Sequence, residues 1–314
     1  MQTCLQKGKG YFCAPFENSF QIAYLIYFKV FGFNIKDYAQ LTKMRLASLV
    51  VFSAAMTFLL GSHGPINWAL FGWLIAGGLL VTGSSNAFNQ IMERELDKLM
   101  DRTSTRPLPD YRMTLVEAYT IALVSGLSGL VILYYFVNPL SGILGTIALF
   151  SYVFAYTPLK RITPFAVFVG AIPGAIPTAL GYVAATGKLD FAAFVLFSIQ
   201  FFWQFPHFWA IAWVVNDDYL KAGFQLLPTK KRDKGSAMQT VIYALALIPV
   251  SVLPYLYHIS GIYSLVVLML AALWFLWKAI VLYQQCSIEA ARKLMFASFV
   301  YLPVVLIALV LDKV

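Results

Sequence analysis

The chain has 314 residues, of which 60% are hydrophobic and 12% charged, where a soluble domain carries about 25% charged residues. With a mean hydropathy of +0.74, this excludes a disordered chain, a collagen-like fibre and an ordinary soluble enzyme. The net charge of +9 has to be explained by where the cations sit, because in a soluble protein it would suggest nucleic acid.

Residues 1–36 hold an apolar stretch at 20–33 broken by Lys29, with no small-residue cleavage site. A cytoplasmic or interfacial helix is expected there, not a signal peptide. From residue 37 to 314 a single membrane domain is expected. Nine runs reach spanning length, at about 46–61, 67–91, 114–136, 140–157, 163–186, 191–215, 237–257, 261–283 and 294–311. They are continuous runs, not the alternating ten-residue segments of a barrel. The fold class is therefore all-α: a polytopic membrane protein.

With nine spans, the basic residues fall almost entirely in the loops of one face. Of 23 Lys and Arg, only Lys188 and Lys313 fall on the other. The positive-inside rule puts that basic face and the N-terminus in the cytoplasm, and the C-terminus outside. Topology thus accounts for the charge. Cys4, Cys13 and Cys286 fit no metal spacing or disulfide framework.

The chemistry concentrates where the second span leaves the membrane. Gly77, Gly78, Gly83, Ser84 and Ser85 permit close helix packing. Beyond them Asn89, Glu93, Asp97 and Asp101 recur every four residues and share one helical ridge. Arg94, Lys98, Arg102 and Arg106 form a second ridge at the same spacing. A solvated helix end usually sets opposite charges four apart; here like charges stand four apart. The acidic ridge suits a divalent cation and the basic ridge an anion, which Mg²⁺ bound to a diphosphate would satisfy together.

The sixth span leaves through Asp217 and Asp218, with Gln200, Trp203, His207 and Pro206 behind them. Gln200, Trp203, His207 and Asp218 share a face unless Pro206 bends the helix. An intramembrane His usually faces a cavity or a partner, although a satisfied core histidine is an equal alternative. Tyr156, Lys160 and Arg161 end the fourth span, and Lys43 and Arg45 precede the first. Each pair of cations either anchors the topology or binds diphosphate or propionate oxygens.

The motif at residues 89–107 resembles the first polyprenyl-diphosphate motif of UbiA-superfamily intramembrane prenyltransferases. So do Asp37-Tyr38 with Lys43-Met44-Arg45, Tyr156-Thr157 with Lys160-Arg161, Pro206-His207-Phe208-Trp209, and Asp218-Tyr219 with Ala222-Gly223. Within the superfamily these are most similar to the protohaem IX farnesyltransferases, also called haem O synthases. Two departures stand out: Glu93 replaces the family's usual Asp, and the second acidic motif is reduced to Asp217-Asp218.

The resemblance implies nine helices around a central cavity and transfer of farnesyl from farnesyl diphosphate to a vinyl group of haem B, giving haem O for terminal oxidases. It implies Mg²⁺ held by Asn89, Glu93 and Asp97, with Asp217 or Asp218 for a second ion. Lys43, Arg45, Arg102, Arg106, Tyr156, Lys160 and Arg161 would contact diphosphate or haem, and His207 the haem. The inner membrane would be the site of action, and a downstream haem-modifying membrane enzyme a partner. The alternatives are prenyl transfer to an aromatic quinone precursor, or a transporter. Transporters bind near the midplane, whereas the acids here gather at one end.

Overall fold

The computed structural model describes residues 3–7, 10–14 and 35–314. Contacts divide the chain into Met1–Ala39 and Gln40–Val314. In the first unit, β1 (Thr3–Lys7) pairs antiparallel with β2 (Gly10–Ala14), Thr3 opposite Ala14 and Lys7 opposite Gly10. The interfacial helix expected at 20–33 lies outside the described residues. Helix α1 is Ile35–Leu41.

Nine helices among the described residues are long and apolar enough to cross a membrane. They are α2 (Met44–Gly61), α3 (Trp68–Asp97), α4 (Leu115–Val137), α5 (Pro139–Leu159), α6 (Ala166–Thr186), α7 (Phe191–Val214), α9 (Lys234–Leu256), α10 (Ile262–Gln285) and α11 (Ile288–Leu311). Short α8 (Asn216–Lys221) follows α7. The expected spans are all present, with two shifts of boundary. Helix α3 runs unbroken to Asp97, so its polar ridge belongs to the spanning helix itself. Helix α11 starts at Ile288, because Ser287 caps Ala290 N–H and Glu289 pairs with Lys293 one turn on at 2.7 Å. Those charges interrupt the apolar run without ending the helix.

Helix starts follow local capping chemistry. Thr114 and Glu117 form a reciprocal capping box on α4. Asn67, Asn138, Asp190 and Asp233 accept from the first-turn N–H groups of α3, α5, α7 and α9. Each removes an orphaned donor that lipid could not solvate.

Small residues bring the helices close. Ser84 Oγ donates to Ala122 O at 2.7 Å, and a Cβ on Gly126 would collide with that hydroxyl. On α6, a Cβ at Gly181 would collide with Ala54 O of α2. One apolar core joins α7, α9, α10 and α11 around Trp213, Phe275 and Tyr301. A second joins α2 to α6 around Phe58, Leu74 and Leu133. The outward faces carry exposed Leu127, Leu270, Trp277 and Phe296, the apolar surface that lipid solvates.

The C-terminal half of α5 includes a wider π-type turn at Ser151–Tyr156, a distortion that recurs at functional sites. It directs Thr157 Oγ1 to Tyr152 O at 2.9 Å and leaves that hydroxyl facing α3.

Candidate active site

The polar ridge of α3 organises the basic face. Its residues Asn86, Asn89, Gln90, Glu93 and Asp97 are all buried. Asn86 Nδ2 donates to Thr42 O at 3.1 Å, and Gln90 Nε2 to Gln40 O at 2.8 Å and Leu41 O at 2.7 Å. These bonds grip the turn before α2, where Lys43 adopts the left-handed conformation at φ 49°, which is unfavourable for a side chain with a Cβ. The result aims Lys43 Nζ at Asn89 Oδ1, 3.3 Å away. Asn89 Nδ2 in turn donates to Thr157 Oγ1 at 3.4 Å. Burial, then the nearby cations of Arg106 and Lys160, pulls the Lys43 ammonium down to about 7. It sits where an added anion would be welcome.

Each acid of the ridge meets a cation from another segment. Lys160 Nζ lies 2.7 Å from Glu93 Oε1, and Arg106 Nη1 donates to Asp97 Oδ2 at 2.7 Å. The Glu93 and Asp97 side chains are 5% and 1% exposed, so both pairs are shielded from water. Burial opposes the Lys160 charge, but Glu93, with Tyr152 and Tyr219, more than offsets it and holds the ammonium above its usual range. Thr103 Oγ1 donates to Asp97 O at 2.8 Å. Asp97 Oδ1 is buried and accepts no hydrogen bond among the described residues. The repulsion implicit in the four-residue spacing is thus relieved by cations from α5's end and from the loop after α3.

The acidic exits of α3 and α7 meet. Asp218 Oδ1 accepts from Asp101 N at 2.9 Å and Oδ2 from Arg102 N at 3.5 Å. Lys221 Nζ bridges Asp101 at 2.5 Å and Asp218 at 3.5 Å. Arg102 lies over the Tyr219 ring, 5.9 Å from its centroid. Lys160 Nζ stands 5.1 Å from the Tyr156 ring centroid and 5.4 Å from that of Phe224.

Other expected site residues stand apart. Asp217 is exposed, and both its oxygens accept from Arg232 Nη1, at 2.9 and 3.0 Å. Arg45 and Arg161 are exposed. No three His, Cys, Asp or Glu among the described residues gather as a metal cluster.

His207 lies on α7, which continues through Pro206. Its Nδ1 is 2.6 Å from Ser298 Oγ of α11, and its ring stacks on Trp203 at 4.5 Å. Gln200, Trp203 and His207 stay near one face of the unbroken α7, but the expected extension of that face to Asp218 fails. Gln200 Nε2 donates to Gly174 O on α6, Trp203 and His207 turn to α11, and the backbone breaks at Val215 before Asp218. Asn86, Gln90 and Ser298 were not singled out from the sequence, and Thr157 entered only as part of a motif, with no role of its own. The two amides were legible as polar groups inside an apolar span; the two hydroxyls look like ordinary helix residues until their partners are known.

The model of the UbiA prenyltransferase family matches residues 49–301. The chain belongs to that family. It is an integral membrane prenyltransferase. The protohaem IX farnesyltransferase of Cytophaga hutchinsonii is 46% identical over 282 residues, covering 90% of this chain and 99% of that protein. The protohaem IX farnesyltransferase of Christiangramia forsetii is 49% identical over 284 residues, covering 89% of this chain and 94% of its own. Among solved structures, a digeranylgeranylglyceryl phosphate synthase superposes with a TM-score of 0.75 at 21% identity, covering 88% of this chain and 98% of that one. A UbiA homologue from Archaeoglobus fulgidus bound to GPP and Mg²⁺ gives 0.65 at 12% identity, covering 87% and 99%. At these identities the structures support the fold alone.

Proposed function

We propose that this chain transfers the farnesyl group of farnesyl diphosphate to a vinyl carbon of haem B, giving haem O. The observation that carries the reading is the shielded charge array of Glu93 with Lys160 and Asp97 with Arg106, at the basic end of an otherwise apolar bundle. The near-half identity to protohaem IX farnesyltransferases favours haem over an aromatic quinone precursor as acceptor.

Asn89, Glu93 and Asp97 offer oxygen donors of the kind hard cations take, and the orphaned Asp97 Oδ1 fits a ligand to such an ion. Bound there, Mg²⁺ would supply Lewis acidity to the departing diphosphate. Lys160 and Arg106, released from their carboxylates, would turn to diphosphate oxygens, with Lys43 beside them. Burial makes these contacts strong. The farnesyl C1–O bond breaks, C1 bonds to the vinyl carbon, and water adds its oxygen to the resulting cation, leaving its proton with the diphosphate. Aromatic side chains such as Trp203 and Phe208 would stabilise the allylic cation and exclude stray water. Arg45, Arg102 and Arg161, with Tyr156 at the rim, suit the haem propionates, and His207 the iron. Asp218 fastens the two acidic exits and Asp217 anchors Arg232.

The cation distribution supports a cytoplasmic basic face in the inner membrane, with the C-terminus outside. Haem O keeps its farnesyl tail in the bilayer, so a membrane-bound haem-modifying enzyme is the fitting recipient.

The test is incubation of the purified protein in vesicles with Mg²⁺, farnesyl diphosphate and either haem B or 4-hydroxybenzoate, reading product mass. Haem O from the first and nothing from the second is expected. A prenylated benzoate with unchanged haem would replace haem as the acceptor.

A further inference from the structure

Ser298 sits on α11, wholly buried, where it meets three groups. Its Oγ lies 2.5 Å from Met295 O and 2.6 Å from His207 Nδ1. Its own carbonyl accepts from Trp203 Nε1 at 3.1 Å. Trp203 also stacks on the His207 ring, with 18° between the planes. The edges of Phe208 and Phe299 enclose the imidazole. Helices α7 and α11 are therefore joined at two points through one serine.

The two short contacts of Ser298 Oγ together favour one arrangement of hydrogens at this junction. A carbonyl oxygen only accepts, so the short contact to Met295 consumes the single hydroxyl hydrogen of Ser298. The serine then offers only lone pairs to the imidazole. His207 Nδ1 must bring its own hydrogen, and in a neutral ring Nε2 is left bare. Among the described residues Nε2 makes no hydrogen bond.

We infer that Ser298 is a positioning residue that fixes His207 as the Nδ1–H tautomer and presents Nε2 as the lone-pair donor to the haem iron. The inference rests on the reading of haem B as acceptor and extends it to a residue that touches no substrate. Trp203 holds the ring plane and Ser298 the hydrogen. Such outer partners fix the orientation of a ligating imidazole and raise its basicity, and their loss typically costs about 10- to 100-fold in affinity.

The experiment is a titration of the full chain in detergent with haem B, following the Soret band, on the wild type and on Ser298→Ala, Ser298→Thr and His207→Ala. Helical content and inorganic pyrophosphate binding with Mg²⁺ serve as controls that a folding defect would move. The expected result is a histidine-type Soret band in the wild type, lost in His207→Ala. Affinity should be about 10- to 100-fold weaker in Ser298→Ala and restored in Ser298→Thr, with pyrophosphate binding unchanged throughout. Wild-type affinity and spectrum in Ser298→Ala, beside a lost band in His207→Ala, would overturn the positioning role and leave the haem reading standing. Failure of Ser298→Thr to restore affinity, with helicity intact, also counts against the hydroxyl. An unaltered band in His207→Ala would overturn the ligand role. A wild-type chain that takes up no haem would end both this inference and the proposed acceptor.

Discussion

Lys160 Nζ and Glu93 Oε1 lie 2.7 Å apart with their side chains 11% and 5% exposed. Two charges held this far from water make a pair in which neither member tolerates loss of the other. Removing one partner of a buried pair typically costs about 3–5 kcal/mol, whereas replacing both can be nearly neutral. Lys160→Ala should therefore lower the unfolding temperature in detergent, and Lys160→Ala combined with Glu93→Gln should recover most of the loss. Equal, additive losses would show that the two charges do not depend on each other.

Turnover should follow the carboxylates and not the fold. Asp97→Asn keeps the shape and the acceptor for Arg106 Nη1 but removes the anionic oxygen. We expect turnover to fall by at least about 100-fold, the scale of losing a charged group that stabilises a departing anion, with unchanged helicity. Normal turnover would remove Asp97 from the reaction.

Chelation offers an independent check. Hard oxygen donors bind Mg²⁺ reversibly, so a chelator should stop farnesyl transfer and added Mg²⁺ restore it. Full activity in chelator would take the divalent ion out of the scheme.

The docked exits carry a pH signature. Burial opposes ionisation of Asp218, but the N–H groups of Asp101 and Arg102, with Lys221, outweigh it and hold the carboxyl below its usual range. A depressed carboxyl contributes stability above its ordinary value, about pH 4, and loses it as pH falls through the folded value. Protease cleavage in the loop at 98–113 should stay constant from about pH 8 to 5 and rise below about pH 4. Asp218→Asn should be cut faster already at neutral pH. Equal cleavage of both proteins at every pH would show that Asp218 does not secure the loop.

Much of this was legible in the sequence because lipid imposes simple demands. Apolar length gave the nine spans, and the four-residue recurrence of Asn89, Glu93 and Asp97 gave the buried polar ridge of α3. What escaped was partnership across the chain. Nothing local in Lys160 says that it answers Glu93, 67 residues earlier. Asp217 and Asp218 are neighbours of one chemical type, yet one faces Arg232 and the other caps a distant backbone turn. Adjacent positions on the short helix α8 point about 100° apart, and the break at Val215 that sets the direction of α8 is not marked by periodicity. Along α7 itself the shared face holds, but because α7 lies between α6 and α11, Gln200 reaches Gly174 while Trp203 and His207 reach Ser298.

The most direct test of the account is electron paramagnetic resonance of Mn²⁺, substituted for Mg²⁺, with pyrophosphate bound to the purified chain. The wild type should show one protein-bound ion coupled to phosphorus, with the signal lost in Glu93→Gln and Asp97→Asn. An identical bound signal in both variants would contradict it, because the ion would then be held somewhere other than the acidic ridge of α3.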